Sequence, residues 1–212
     1  MPERGQRASK YVVVLLVFAG LASAALAFKQ MLGEARAVAS GAGLRVLGQL
    51  PEFTLMRETS EPLTLSSLRG KIWVADFVFT RCAGPCPRMT RRMAQLQQEL
   101  ADLPGVRLVS FSVDPEYDTP RVLREYAQAF GADSDRWYFV TGDRRKIYQL
   151  SINGFKLTVG EDPEDEHLLL HSTRFVLIDQ QGRIRGYYDE TEPEQMTRLV
   201  TDVRKLARWP GR

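Results

Sequence analysis

Between Ile72 and Phe79 the chain reads IWVADFVF, almost continuously apolar and rich in aromatic and branched side chains. That pattern predicts a central strand covered on both faces. Val106–Val113 predicts a second such strand, and Trp137–Val140 a third, shorter one. Between them the period changes. Met89, Met93, Leu96 and Leu100 recur at helical spacing with Arg91, Arg92, Gln97 and Glu99 among them, so one stripe packs on a sheet and the other face is wet. Thr119 is placed as an N-cap with Pro120 as first helical residue, and Gly131 ends that helix.

The remaining elements follow the same logic. Phe53–Met56 and Leu63–Leu65 predict a short hairpin, Ser66–Arg69 a turn of helix closed by Gly70, and Arg144–Leu150 a short helix. Ser172–Ile178 and Arg183–Tyr188 flank Gln180-Gln181-Gly182 as a second hairpin. Met196, Leu199, Val200, Val203 and Leu206 fall on one face of a terminal helix. Strands alternating with helices after a hairpin, then strand-strand-helix, imply an α/β fold with a mixed sheet flanked by helices. A cysteine loop between a buried strand and a helix makes the arrangement thioredoxin-like.

That loop is Thr80-Arg81-Cys82-Ala83-Gly84-Pro85-Cys86-Pro87, and it holds both cysteines of the 212-residue chain. Three intervening residues keep the sulfurs at one chain turn, where they can close as a disulfide or share a thiophilic metal. Pro87 suits the first turn of the following helix. The helix N-terminus favours negative charge and is expected to lower the Cys86 pKa. Gly84 and the two prolines argue for a reactive or ligating loop over two structural cysteines.

Composition adds bounds. With 29 Lys and Arg against 26 Asp and Glu, the net charge of +3 is small and mixed along the chain. No basic stripe with interleaved aromatics occurs, so no nucleic-acid partner is expected. One cysteine pair is no disulfide framework, and folding must come from apolar burial.

Residues 1–10 carry Arg4, Arg7 and Lys10, after which Tyr11–Phe28 runs eighteen residues without a charge. That predicts a single transmembrane helix over 11–28 in a lipid bilayer, with residues 1–10 cytoplasmic and the remainder on the outer, periplasmic side of the cell (inner) membrane. Ala25-Leu26-Ala27 also fits a cleavage site, but the run is long for a signal peptide. Both readings export the cysteines to an oxidising compartment. Residues 29–48 read as a juxtamembrane linker and 49–212 as the folded domain.

The chain has two histidines, His167 and His171. His171 immediately precedes a predicted strand, whose end can bring an imidazole toward the cysteine loop. Two thiolates and one imidazole suit copper, whereas zinc would want a fourth ligand. His167 directly follows the acidic run Glu161–Glu166, in the same loop, and reads as solvated. Met89 and Met93 are thioethers, soft enough for copper, but a helical stripe is core.

The run Asp76-Phe77-Val78-Phe79-Thr80-Arg81-Cys82-x₃-Cys86-Pro87 resembles the metal-binding motif of the SCO/SenC family of copper-binding, thioredoxin-fold cytochrome c oxidase assembly factors. Ser112-Val113-Asp114-Pro115-Glu116-x-Asp118-Thr119-Pro120 resembles that family's second block, and His171-Ser172 its third. The resemblance covers roughly Leu50–Leu206. It implies Cys82, Cys86 and His171 as ligands for Cu(I) or Cu(II), and Asp114 as a neighbour of the site. The implied task is copper delivery to, or reduction of, the dinuclear copper site of cytochrome c oxidase subunit II or another copper-accepting protein, with an upstream copper donor. The Ala83-Gly84-Pro85 insert departs from the family pattern without removing a ligand.

Three functions stay open on the residues. A metallochaperone would pass copper on by stepwise ligand exchange, and is not an enzyme. A copper-independent thiol–disulfide oxidoreductase would use Cys82 and Cys86 as its redox pair. A thiol peroxidase would need an exposed, low-pKa thiolate. The Cys-x₃-Cys spacing tilts the balance toward metal.

Overall fold

The computed structural model describes Ser23, residues 43–157 and residues 172–209. The chain divides into two units, Met1–Gly43 and Leu44–Arg212, and the sheet with its helices belongs to the second. Among the described residues no helix is long and apolar enough to cross a membrane. The run 11–28, on which the predicted anchor rests, lies outside them apart from Ser23.

Eight strands form one sheet: β1 (Gly48–Gln49), β2 (Thr54–Arg57), β3 (Pro62–Thr64), β4 (Ile72–Val78), β5 (Val106–Ser112), β6 (Trp137–Thr141), β7 (Arg174–Ile178) and β8 (Arg183–Asp189). Their order is β1-β8-β7-β4-β5-β6-β2-β3. Strands β4, β5 and β6 are parallel, while β7 and β2 run antiparallel to their neighbours on either side. The helices are α1 (Leu65–Leu68), α2 (Cys86–Glu99), α3 (Pro120–Ala129), α4 (Arg144–Gln149) and α5 (Pro193–Arg208). Parallel neighbours need a crossover, and α2 and α3 supply the two of them. The mixed sheet flanked by helices is as expected.

Every residue of β4 is buried, as its apolar run predicts. Side chains alternate across a strand, so Trp73 and Phe77 share one face. There Phe77 stacks on Phe111 at 5.1 Å and meets Phe155 edge-on at 5.2 Å. Val74, Asp76 and Val78 point to the opposite face. That face belongs to α2 and α3, whose buried stripes include Met89, Met93 and Leu96, and Leu123 and Ala127. Helix α5 is tied to the end of α2 by Arg204, which donates to the Asp102 carboxylate at 2.6 Å and the Glu99 carbonyl at 2.7 Å.

Two elements carry no periodic signal. Strand β1 straddles the boundary drawn between linker and domain at 48/49, and around it Leu47 donates to the Ile184 carbonyl at 2.9 Å and Leu50 to that of Gly182 at 3.0 Å. Two residues are too few to show alternation. After α4 the chain continues through a wide turn, Leu150–Gly154, closed by Phe155 N–H on the Leu150 carbonyl at 2.8 Å. This π-helical turn carries Phe155 into the aromatic cluster.

Candidate functional site

The site sits where β4 ends. Beyond Val78 the chain turns, with Cys82 N–H donating to the Phe79 carbonyl at 3.2 Å, and α2 starts at Cys86 with Pro87 in its first turn. Pro85 offers no side-chain cap, but its carbonyl accepts from Arg88 and Met89, both at 3.0 Å. Both cysteines are free thiols, Cys82 8% exposed and Cys86 4% exposed. The loop is therefore a loop in backbone only; its two sulfurs are covered.

That burial overturns the expected pKa of Cys86. The helix N-terminus does not win: desolvation pushes the thiol up to about 12, helped by a side-chain hydrogen bond shared with Cys82 and by the charges of Cys82 and Asp76. A hydrogen bond from the Phe79 backbone offsets this only in part. Cys86 rests as a thiol at neutral pH, and whatever binds it must displace a proton.

Two carboxylates of the second sequence block hold the loop. Fully buried Asp118 accepts from Thr80 N–H at 3.1 Å, from the Thr80 hydroxyl, and from the Ser112 hydroxyl at 2.5 Å. One side chain thus pins the residue two before Cys82 to the end of β5, and a buried charge with three donors is satisfied. Asp114 accepts from Arg81 Nε at 2.9 Å and Nη2 at 2.5 Å. The Arg81 guanidinium also lies 4.4 Å above the Tyr117 ring, so Arg81, next to Cys82, is fixed from two sides. On the inner side, the Thr90 hydroxyl donates to the Cys86 carbonyl at 2.9 Å and meets the Tyr126 hydroxyl at 2.9 Å.

Met89 and Met93 are buried in the core beneath α2, as a helical stripe should be. His167 and His171 lie outside the described residues. Among the described residues no group of three or more histidine, cysteine or acidic side chains is placed to hold a metal ion. The strand that follows His171 in sequence is described. The register pairs Trp73 with Ile178, Val74 with Leu177 and Ala75 with Val176. The C-terminal end of β4 therefore neighbours the N-terminal end of β7, where Ser172 and Thr173 stand. Glu190 donates its N–H to the Thr173 carbonyl at 2.8 Å and accepts from Arg88 of α2 at 2.7 Å, joining that strand end to the first turns of α2.

Sequence reasoning misses three residues of the site: Asp76, Asp118 and Tyr126. A carboxylate inside the apolar run IWVADFV is itself a signal, because charged side chains are almost never fully buried without a purpose. Asp118 stands in view within the second block, but only coordinates reveal that it points at Thr80.

The family model described as SCO1/SenC matches residues 48–208. The chain belongs to the SCO1/SenC family. A SCO1/SenC family lipoprotein from Bacillus anthracis is 35% identical, and the superposition covers 76% of this chain and 97% of that one with a TM-score of 0.69. BsSco, a member of the Sco family of cytochrome c oxidase assembly proteins in which a disulfide switch was identified, is 32% identical, with coverages of 77% and 96% and a TM-score of 0.67. ScoI from Bradyrhizobium japonicum, with copper bound, shares the fold at 22% identity, coverages of 74% and 99% and a TM-score of 0.59.

Proposed function

We propose that this SCO1/SenC protein is a membrane-anchored copper metallochaperone, binding copper through Cys82, Cys86 and His171 and helping to assemble the dinuclear copper site of cytochrome c oxidase. The observation that carries the reading is the pair of free, covered thiols on the β4–α2 loop of a SCO1/SenC chain. The neighbouring strand end, with Ser172 one residue after His171, supports the third ligand. Thiolates favour Cu(I) and imidazole helps hold Cu(II), so one site serves both oxidation states. A site with only three ligands can release its metal stepwise to a docked acceptor, oxidase subunit II or another copper-accepting protein, after loading by an upstream donor. Residues 11–28 would anchor the chain in the inner membrane with the folded unit on the periplasmic side.

Copper titration of the reduced and the disulfide-closed chain tests this. The reduced chain should take up about one copper, with sulfur-to-Cu(II) absorption in the visible, and the oxidised chain none. Equal uptake by both forms would remove the thiolates from the site.

A second reading is favoured by a specific observation. Both thiols are free and buried on one loop, Cys82 is among the groups that raise the Cys86 pKa, and a disulfide switch was identified in BsSco. A copper-independent reductase of the subunit II cysteines would use the same pair. The peroxidase reading loses its footing, because a peroxidatic thiolate needs exposure and a low pKa. Both sulfurs here are buried, and Cys86 is pushed the other way.

A further inference from the structure

Two arginines stand beside the thiol loop, each pinned by a carboxylate that is itself covered. Arg81 directly precedes Cys82, and Arg88 follows Cys86 by two residues in the first turn of α2. Arg81 donates to Asp114, just beyond the end of β5, through Nε at 2.9 Å and Nη2 at 2.5 Å. Arg88 donates through Nε to Glu190, just beyond the end of β8, at 2.7 Å. In the sheet β4 has β5 on one side and β7, then β8, on the other. The strand directions bring the C-terminal ends of β4, β5 and β8 to the same end of the sheet. The two cations are therefore anchored on opposite sides of the strand whose end carries the sulfurs.

Exposure within each pair is unequal. The side chains of Arg81 and Arg88 are 56% and 53% exposed, those of Asp114 and Glu190 only 10% and 8%. The negative charge is under cover and the positive charge faces solvent. Arg81 is steadied further by Tyr117, whose ring lies 4.4 Å away and is itself exposed. A guanidinium carries five N–H donors in a planar fork. Arg81 keeps Nη1, and Arg88 both Nη atoms, without a partner among the described residues. A fork already fixed in place matches a carboxylate and loses little freedom on binding one. Exposed acids occur on this part of the chain too, Glu116 paired with Arg144 at 3.6 Å and Glu192 and Glu194 at the start of α5. None of them is within two residues of a cysteine, whereas both arginines are.

We infer that Arg81 and Arg88 form a carboxylate bracket around the thiol pair, which seats a partner protein that carries acidic side chains beside its own sulfurs. The inference rests on the reading that Cys82 and Cys86 meet a partner's sulfur, but not on copper. Charges at the rim of such a contact act mainly on the rate and orientation of encounter, so the bracket selects by charge which sulfur arrives.

Three small disulfides of similar size test it on the reduced full chain. Dithiodipropionate carries a carboxylate at each end, cystamine an ammonium at each end, and bis(hydroxyethyl) disulfide no charge. In each reaction the Cys82–Cys86 bond forms and the probe's S–S bond breaks. The protein dithiol loses two electrons and two protons, and the probe leaves as two thiols. Closure is followed by mass after acid quenching and alkylation of the remaining thiols. Each rate is divided by that of the neutral dithiol dithiothreitol with the same probe, which removes differences in the probes' own reactivity.

On that scale the wild type should favour the anionic probe over the cationic one by about 10-fold at low salt. The preference should shrink as salt rises to 0.1 M, where the Debye length is about 10 Å. Arg81→Gln with Arg88→Gln should lose the preference, and the double lysine variant, which keeps the charges without the forks, should retain part of it. The ratio between probes is the decisive quantity, because a loop that is merely displaced slows all three alike. The wild-type salt series needs no variant to fold. A wild type with no preference for the anion, or a preference that the glutamine variant keeps, would overturn the proposal and leave the thiol reading standing. A dithiol that closes with none of the three probes would overturn both.

Discussion

Cys86→Ser is expected to weaken copper retention by more than about 100-fold and to abolish the 82–86 disulfide. Loss of a partner that only orients a ligand costs up to about 100-fold in metal affinity, so loss of a ligand must cost more. Serine is close to cysteine in volume, and the first turn of α2 is held by backbone bonds to the Pro85 carbonyl, so the fold should persist. The wild type should show a further signature. Because Cys86 is pushed up to about 12, copper binding must release its proton, and apparent affinity should climb steadily with pH through the neutral range. Competition with a chelator at several pH values reads both effects. An affinity that Cys86→Ser leaves intact would place the metal elsewhere.

Between acid and neutral pH, the largest pH effect on stability should come from Asp76. Its folded pKa lies above its unfolded value, so between 3.8 and about 7 the native chain keeps a proton that the unfolded chain gives up. Unfolding is therefore favoured by each rise in pH through that window, by about 4 kcal/mol in all. Asp102 and Asp189 act in the opposite sense, their pKa values lowered first by side-chain hydrogen bonds from Arg204 and Thr191 respectively. They are present in both proteins, so the difference between wild type and Asp76→Asn isolates Asp76. Urea unfolding followed by the fluorescence of buried Trp73 and Trp137 provides the readout. The variant should gain on the wild type as pH rises, and a gap that does not change with pH would mean that Asp76 titrates alike in the folded and unfolded chain.

The order of elements was legible because strands and helices here obey their periods. IWVADFV is buried at all its positions, and Met89, Met93 and Leu96 face inward as their spacing requires. Thr119 and Pro120 cap and open α3 as expected. What stayed hidden depends on partners distant in sequence. Gly48–Gln49 becomes a strand only because β8 is there to pair with it. Phe155 enters the core only after a wide turn that no local pattern encodes.

The same division runs through the site. Both cysteines were evident from their loop, since spacing and Pro87 are local facts. The direction of the Cys86 pKa was not, because it depends on how much protein covers the sulfur. Helix polarity is readable from sequence, whereas depth of burial is a tertiary quantity, and here depth prevails. Asp118 likewise draws its meaning from Thr80, beyond the end of the neighbouring strand. For His171 the proposed link to the loop rests on the motif and on Ser172, which stands just before β7.

Whether that imidazole joins the two sulfurs is the claim on which the copper account stands. Titrating the reduced full-length chain with Cu(II), wild type beside His171→Ala, tests it most directly. The account predicts that the variant loses copper retention and visible charge-transfer absorption, while its dithiol still closes to a disulfide. A variant that holds copper as tightly as the wild type and shows the same spectrum would contradict it.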